Sequence, residues 1–146
     1  MTPQELDTIF RKISTFDKTL GLEYTMTGPA EVTYTLTVDE RHLSSPQTCH
    51  GAVIAGMMDS VLGLTVLSYS VTLDKLCSTV EFKTNFIAPA LIGDKLIGTA
   101  KLDYVGNSLV VCNGEIIAEN DKRVIAKAMG TFNLYPLSKK DLHKWS

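Results

Sequence analysis

Asp59 is the one charged residue in the stretch CHGAVIAGMMDSVLGLTVLSYS, residues 49–70. A carboxylate among apolar neighbours is costly to bury without a partner, and a purely structural role there is filled more cheaply by Asn or Ser. A carboxylate set in an apolar pocket suits a general base or a nucleophile. His50 and Gly51 open the same stretch. The first amides of a helix have no partner within it and sit at the positive end of its dipole. A glycine there lets a ligand approach, so the Gly51 amide is suited to hold a carbonyl oxygen as it gains negative charge. Gly51 and Asp59 are eight residues apart, about 12 Å along one helix. Attack needs reacting atoms within about 3–3.5 Å. One chain cannot bring both groups to one carbon, but two antiparallel copies can. The spacing predicts a two-fold homodimer with two equivalent sites.

Other chemistry is less well supported. Cys49 precedes His50, but adjacent side chains point apart and no third group orients them. Cys49 reads as a small packed residue. His42 and His143 are isolated and read as surface or loop histidines, not metal ligands. Cys49, Cys77 and Cys112 show no CxxC spacing, so neither a disulfide framework nor a metal site is expected. Few cysteines and the absence of an apolar signal core in MTPQELDTIFRKIS lead to an expected cytoplasmic location. The net charge of −2 offers no basic field for nucleic acid or an anionic membrane.

The elements that must position these groups are legible in outline. The 146 residues read as a single domain, 1–146, with its core at about 20–134. Thr2 and Pro3 begin a short amphipathic helix, about Pro3 to Ser14, with Leu6, Ile9, Phe10 and Ile13 at helical spacing. Alternation predicts strands over Gly21–Thr27, Glu31–Asp39, Ser78–Ile87, Lys95–Val105, Leu109–Glu119 and Arg123–Leu134. Arg41–Cys49 reads as a loop and Ser138–Ser146 as a short surface segment. Short connections make the sheet antiparallel. Gly98, Ala100, Gly114, Ala118, Ala126, Ala128 and Gly130 fall on alternating positions of the last three strands, which makes room for something thick. The helix at Ala52–Tyr69, apolar all round, is the candidate. Its 18 residues reach the lower edge of a membrane span. Gly56, Gly63, Ser60, Thr65 and Ser68 dilute it, and six strands need it as their core, so no membrane span is expected. The fold class is α+β: a curled six-stranded antiparallel sheet wrapped around one long central helix, with a short N-terminal helix.

CHGAVIAGMMDSVLGLTVLS resembles the HGG…D signature of hotdog-fold acyl-CoA thioesterases of the phenylacetate-degradation (PaaI-like) group. STVEFKTNFIAPALIGDKLIGTAKLDYVGNSLVVCNGEIIAENDKRVIAKAMGTF is similar to that family's four-strand second half, and the likeness covers about Leu20 to Leu134. It implies hydrolysis of an acyl-CoA or acyl-carrier-protein thioester, with no cofactor because CoA is part of the substrate. Asp59 matches the catalytic carboxylate and Gly51 the residue whose amide polarises the carbonyl. His50 matches the motif histidine, which orders the loop, and Thr79 falls near the attacking water. Two positions depart from the pattern. Ala52 replaces the second glycine at the backbone approach. Residues 41–49 lack the family's Asn, leaving Ser44, Ser45 or Gln47 to stand near the substrate. The expected assembly is a homodimer and, through sheet contacts, a homotetramer. Lys83, Lys101, Lys122, Arg123 and Lys127 are available for CoA phosphates, although strand lysines also serve to protect sheet edges. A hotdog dehydratase using His50 and Asp59, or a non-catalytic acyl-CoA sensor, would share the fold.

Overall fold

The computed structural model describes residues 1–140. His143 and most of the expected surface segment lie outside them. Helix α1 (Pro3–Ile13) starts on a reciprocal cap. The Thr2 hydroxyl accepts from the Glu5 amide at 3.2 Å, and the Glu5 carboxylate accepts from the Thr2 amide at 2.8 Å. These bonds satisfy amides the helix leaves free. A second short helix, α2 (Thr15–Leu20), follows at once and ends on Gly21, whose φ of 77° suits a left-handed cap. The apolar periodicity did not reveal it, because six residues carry too few repeats.

Strands β1 (Glu23–Gly28) and β2 (Glu31–Thr37) form a hairpin. The expected loop at residues 41–49 holds a 3-10 turn at Glu40–His42 and a small hairpin, β3 (Leu43–Ser45) and β4 (Thr48–Cys49). Pro46 and Gln47 make its turn, with Gln47 at φ 66°. Then come helix α3 (Gly51–Ser70), a 3-10 turn at Val71–Leu73, and strands β5 (Lys75–Phe86), β6 (Lys95–Val105), β7 (Leu109–Ala118) and β8 (Val124–Pro136). The six long strands form one sheet in the order β1-β2-β6-β7-β8-β5. Every neighbouring pair is antiparallel. This is the hotdog arrangement. β5 stands at an edge, beside β8, so its other side has no strand partner among the described residues.

Helix α3 packs against β2, β5, β6, β7 and β8. Residues Gly51–Leu73 are the one helical stretch among the described residues long and apolar enough to cross a membrane, and here the sheet curls around it. The small residues do what their alternation implies. A methyl placed on Gly98 would lie 2.6 Å from a Val61 methyl, and one on Gly114 would lie 2.8 Å from Leu62. Close approach of helix to sheet therefore requires glycine at both places. Met57, Met58, Val61 and Leu62 fill the space so opened and are fully buried. Such burial is worth roughly 1.5–3 kcal/mol per side chain.

His42 is buried, not a surface residue, at 1% exposure. Its Nδ1 accepts from the Asp39 amide at 3.0 Å, so Nε2 carries the proton and donates to the Leu20 carbonyl at 2.7 Å. The His42 carbonyl accepts from the His50 amide at 2.7 Å. This histidine ties the 3-10 turn both to α2 and to the start of α3.

Candidate active site

Helix α3 carries Asp59 and β5 carries Thr79. The Thr79 hydroxyl donates to Asp59 Oδ1 at 2.9 Å. Between Thr79 and Glu81, β5 bulges against β8, with Thr79 paired to Phe132 and Glu81 to Thr131. A bulge re-aims neighbouring side chains, and this one lies next to the hydroxyl that meets the carboxylate. Asp59 is half-buried. It opens into a cleft of about 300 Å³ walled by Phe10, Phe16, Leu64, Leu67 and Phe132. The lone carboxylate is thus neither sealed in the core nor free on the surface. It has one hydrogen-bond donor, apolar walls and an opening.

Asp59 is flanked by a network that sequence reasoning missed. The next residue on α3, Ser60, donates to Asp17 Oδ1 at 2.9 Å, and the Tyr34 hydroxyl donates to Asp17 Oδ2 at 2.8 Å. Asp17 is 5% exposed and Tyr34 fully buried. Burial, and then the Asp17 charge, raise the Tyr34 phenol well above its ordinary pKa, so it stays a neutral donor. The network pins α2 onto α3 one residue from Asp59. The only sequence signal was an acid inside the apolar-flanked TFDKTL.

His50 caps α3, its Nδ1 accepting from the Ala52 amide at 2.8 Å. This bond commits Ala52's amide to the cap. Gly51 follows as the first helical residue. Among the described residues, no group accepts from its amide. The Phe86 ring at the end of β5 lies beside it, 3.5 Å from where a β-carbon would stand. Gly51 opens into a second cleft of about 300 Å³, with Ile54, Phe86, Ile87 and Ile125 among its walls. The two clefts share no wall residue. Within one chain the carboxylate and the free amide therefore face separate spaces.

Ser44, Ser45 and Gln47 lie exposed on the β3–β4 hairpin just before α3. The Gln47 carbonyl accepts from the Ile92 amide at 2.8 Å. No hydrogen bond joins these side chains to Asp59 or Thr79. The Cys49 thiol is pushed up to about 11 by burial, which leaves it no thiolate for nucleophilic attack at neutral pH. Lys83, Lys101 and Lys127 lie exposed around a separate space of about 460 Å³ on the sheet. Arg123 is already engaged with Asp94, Asp121 and the Pro89 carbonyl, a structural use that takes it out of the set of free phosphate ligands.

The family profile described as the thioesterase superfamily matches residues 46–125, from the turn before α3 into β8. This chain belongs to the thioesterase superfamily. A Caenorhabditis elegans protein named as an esterase is 30% identical over 114 residues, which cover 74% of this chain and 66% of that protein. The chain therefore spans about two thirds of that relative's length. The acyl-coenzyme A thioesterase PaaI of Escherichia coli is 25% identical over 107 residues, covering 73% of this chain and 74% of PaaI. The solved PaaI structure superposes with a TM-score of 0.83 at 20% identity, over 91% of this chain and 93% of that one. A Streptococcus pneumoniae thioesterase protein solved with coenzyme A superposes at 0.71 and 20% identity, over 79% and 86% of the two chains.

Proposed function

We propose that this member of the thioesterase superfamily is an acyl-CoA thioesterase whose active site forms between two copies of the chain. The observation that carries the reading is the separation of its two reactive groups along one edge strand. Asp59 bonds Thr79, four residues into β5, and the free Gly51 amide lies beside Phe86, the last residue of the strand. Among the described residues β5 has an unpaired edge, along which Val80 is 59% and Phe86 59% exposed. Exposed apolar edges of this length invite pairing. A two-fold axis pairs β5 with its own copy antiparallel. Pairing centred between Phe82 and Lys83 sets each Thr79 opposite the partner's Phe86. Asp59 of one protomer then meets the partner's Gly51.

Hydrolysis follows from that pairing. The Gly51 amide takes the thioester oxygen as it becomes an oxyanion. Asp59, held by Thr79, removes a proton from water as the water oxygen bonds to the carbonyl carbon. The C–S bond breaks, and the CoA thiolate leaves and is protonated by the carboxyl group of Asp59. In the alternative route, Asp59 Oδ bonds to the carbonyl carbon and expels the thiolate, and water then opens the acyl-aspartyl anhydride at the Asp59 carboxyl carbon, releasing the acid. One turnover in labelled water separates the two routes. Label in the product acid fits water activation, and label retained in Asp59 fits the anhydride. The likeness to PaaI and to a protein solved with coenzyme A supports an acyl-CoA substrate.

Asp59→Ala is expected to abolish hydrolysis across a panel of short, long and aromatic acyl-CoAs while the far-UV spectrum stays unchanged. Asp59→Asn is expected to be inactive but to bind substrate. Normal turnover by folded Asp59→Ala protein would end this reading, and tight binding by the unaltered protein with no product over hours would make it a sensor instead.

A further inference from the structure

The cleft at Asp59 has a neighbouring space beneath α1. Phe10, Leu67 and Cys77 are among its walls, and the same three residues line a second space of about 220 Å³ under α1. The far walls of that space include Leu6, Ile9, Ile13 and Leu76. Of the apolar face of α1, only Leu6 is fully buried, and Ile9, Phe10 and Ile13 remain half-exposed. Leu6 and Phe10 pack against the core, and all four residues also border the space. The thiol at the neck is neutral, since burial pushes Cys77 up to about 12. The cleft at Gly51, by contrast, shares no wall with this space.

We propose that the space under α1 is the acyl-chain subsite, entered from Asp59 past Phe10, Leu67 and Cys77, and that it selects thioesters of long unbranched acyl chains. The identity of the ligand rests on the thioesterase reading. The three wall residues that the two spaces share, and their mostly apolar linings, do not. A chain laid along α1, whose 11 residues run about 16 Å, buries methylene groups that a two-carbon acyl group cannot offer. A thioester with a long chain therefore gains affinity with each methylene that passes the neck.

The test uses thioether analogues, which cannot be hydrolysed, so it does not depend on turnover. Calorimetry on the full chain is expected to find dodecyl-CoA bound at least about tenfold more tightly than ethyl-CoA, because each buried methylene contributes roughly 0.8 kcal/mol. Ile9→Trp fills the far part of the space and is expected to collapse that ratio to about twofold. Leu67→Trp narrows the neck and provides a second variant should the first fail to fold. Equal affinity of the unaltered protein for both analogues would mean that the space is closed or already filled, and would overturn the proposal. So would an undiminished dodecyl preference in a folded Trp variant. If the preference appears as expected while no acyl-CoA is turned over, the subsite stands and hydrolysis falls.

Discussion

Asp59 and Thr79 come from different elements, twenty residues apart, and meet through one 2.9 Å hydrogen bond. That bond holds the carboxylate in one orientation, and small errors of placement are expensive in catalysis. Thr79→Val keeps the shape of the side chain and removes the donor. Its expected effect is a loss of roughly ten- to hundredfold in kcat with little change in KM, because misplacement by about 1 Å costs on this scale. Thr79→Ser restores the hydroxyl and should recover most of the rate. Steady-state kinetics on the two variants separate positioning from packing, since a packing role would not be rescued by the smaller serine. Asp59 and Gly51 were legible in the sequence because both lie on one helix, where spacing converts directly to distance. Thr79 was reached only through family resemblance, since nothing local says which strand residue faces an acid on a helix. The Asp17–Ser60–Tyr34 network was not legible at all. Its members lie on three elements, and Asp17 looks in sequence like any solvated helical acid.

Helix α3 can be apolar all round because the sheet meets it with glycines. The Gly98 contact is the least forgiving. Its neighbour at 2.6 Å is a methyl of Val61, and a valine in a helix has one strongly preferred rotamer. Gly98→Val should destabilise the fold by about 1–3 kcal/mol through overpacking, read as a lower urea midpoint with an unchanged slope. This alternation of small residues spans three strands, so it was visible before any coordinates. The two short elements that flank the site, α2 and the β3–β4 hairpin, were not visible. The helix has six residues and the two strands three and two, and they owe their form to partners elsewhere. His42 is the clearest case: it bonds Leu20 and Asp39 and receives the His50 amide. Its sequence neighbourhood names none of the distant partners.

Across the whole molecule, several neutral groups depend on burial. Cys77 and Cys112 are pushed up to about 12 and Cys49 to about 11, each mainly by desolvation. Tyr34 is raised further, by burial and then by Asp17. Each folded-state pKa lies above its unfolded value, so the unfolded chain loses these protons first. The stability they contribute is complete below about pH 9 and is lost as pH rises from there toward 12. Urea midpoints measured from pH 7 to 11 should stay level and then fall above pH 9. A midpoint still flat at pH 11 would mean that these groups titrate normally in the folded protein.

The separation of Asp59 from Gly51 also permits a decisive test of a shared site. Gly51 is the first residue of α3, where the amide has no helical partner and proline is well tolerated. His50 before it has φ −65° and ψ 136°, a conformation that suits the residue preceding a proline. Gly51→Pro therefore deletes the amide hydrogen and leaves the helix intact, with an expected loss of roughly 10²–10³ in kcat. Asp59→Ala deletes the other half. If the two groups act across a two-fold axis, a heterodimer of these two inactive chains contains one site with both groups and one with neither. Refolding them together in equal amounts makes half the dimers mixed, each with one working site of two, so about a quarter of the unaltered activity should return. A site complete within one chain has no route to such recovery, and activity in the mixture would stay at the level of the separate variants.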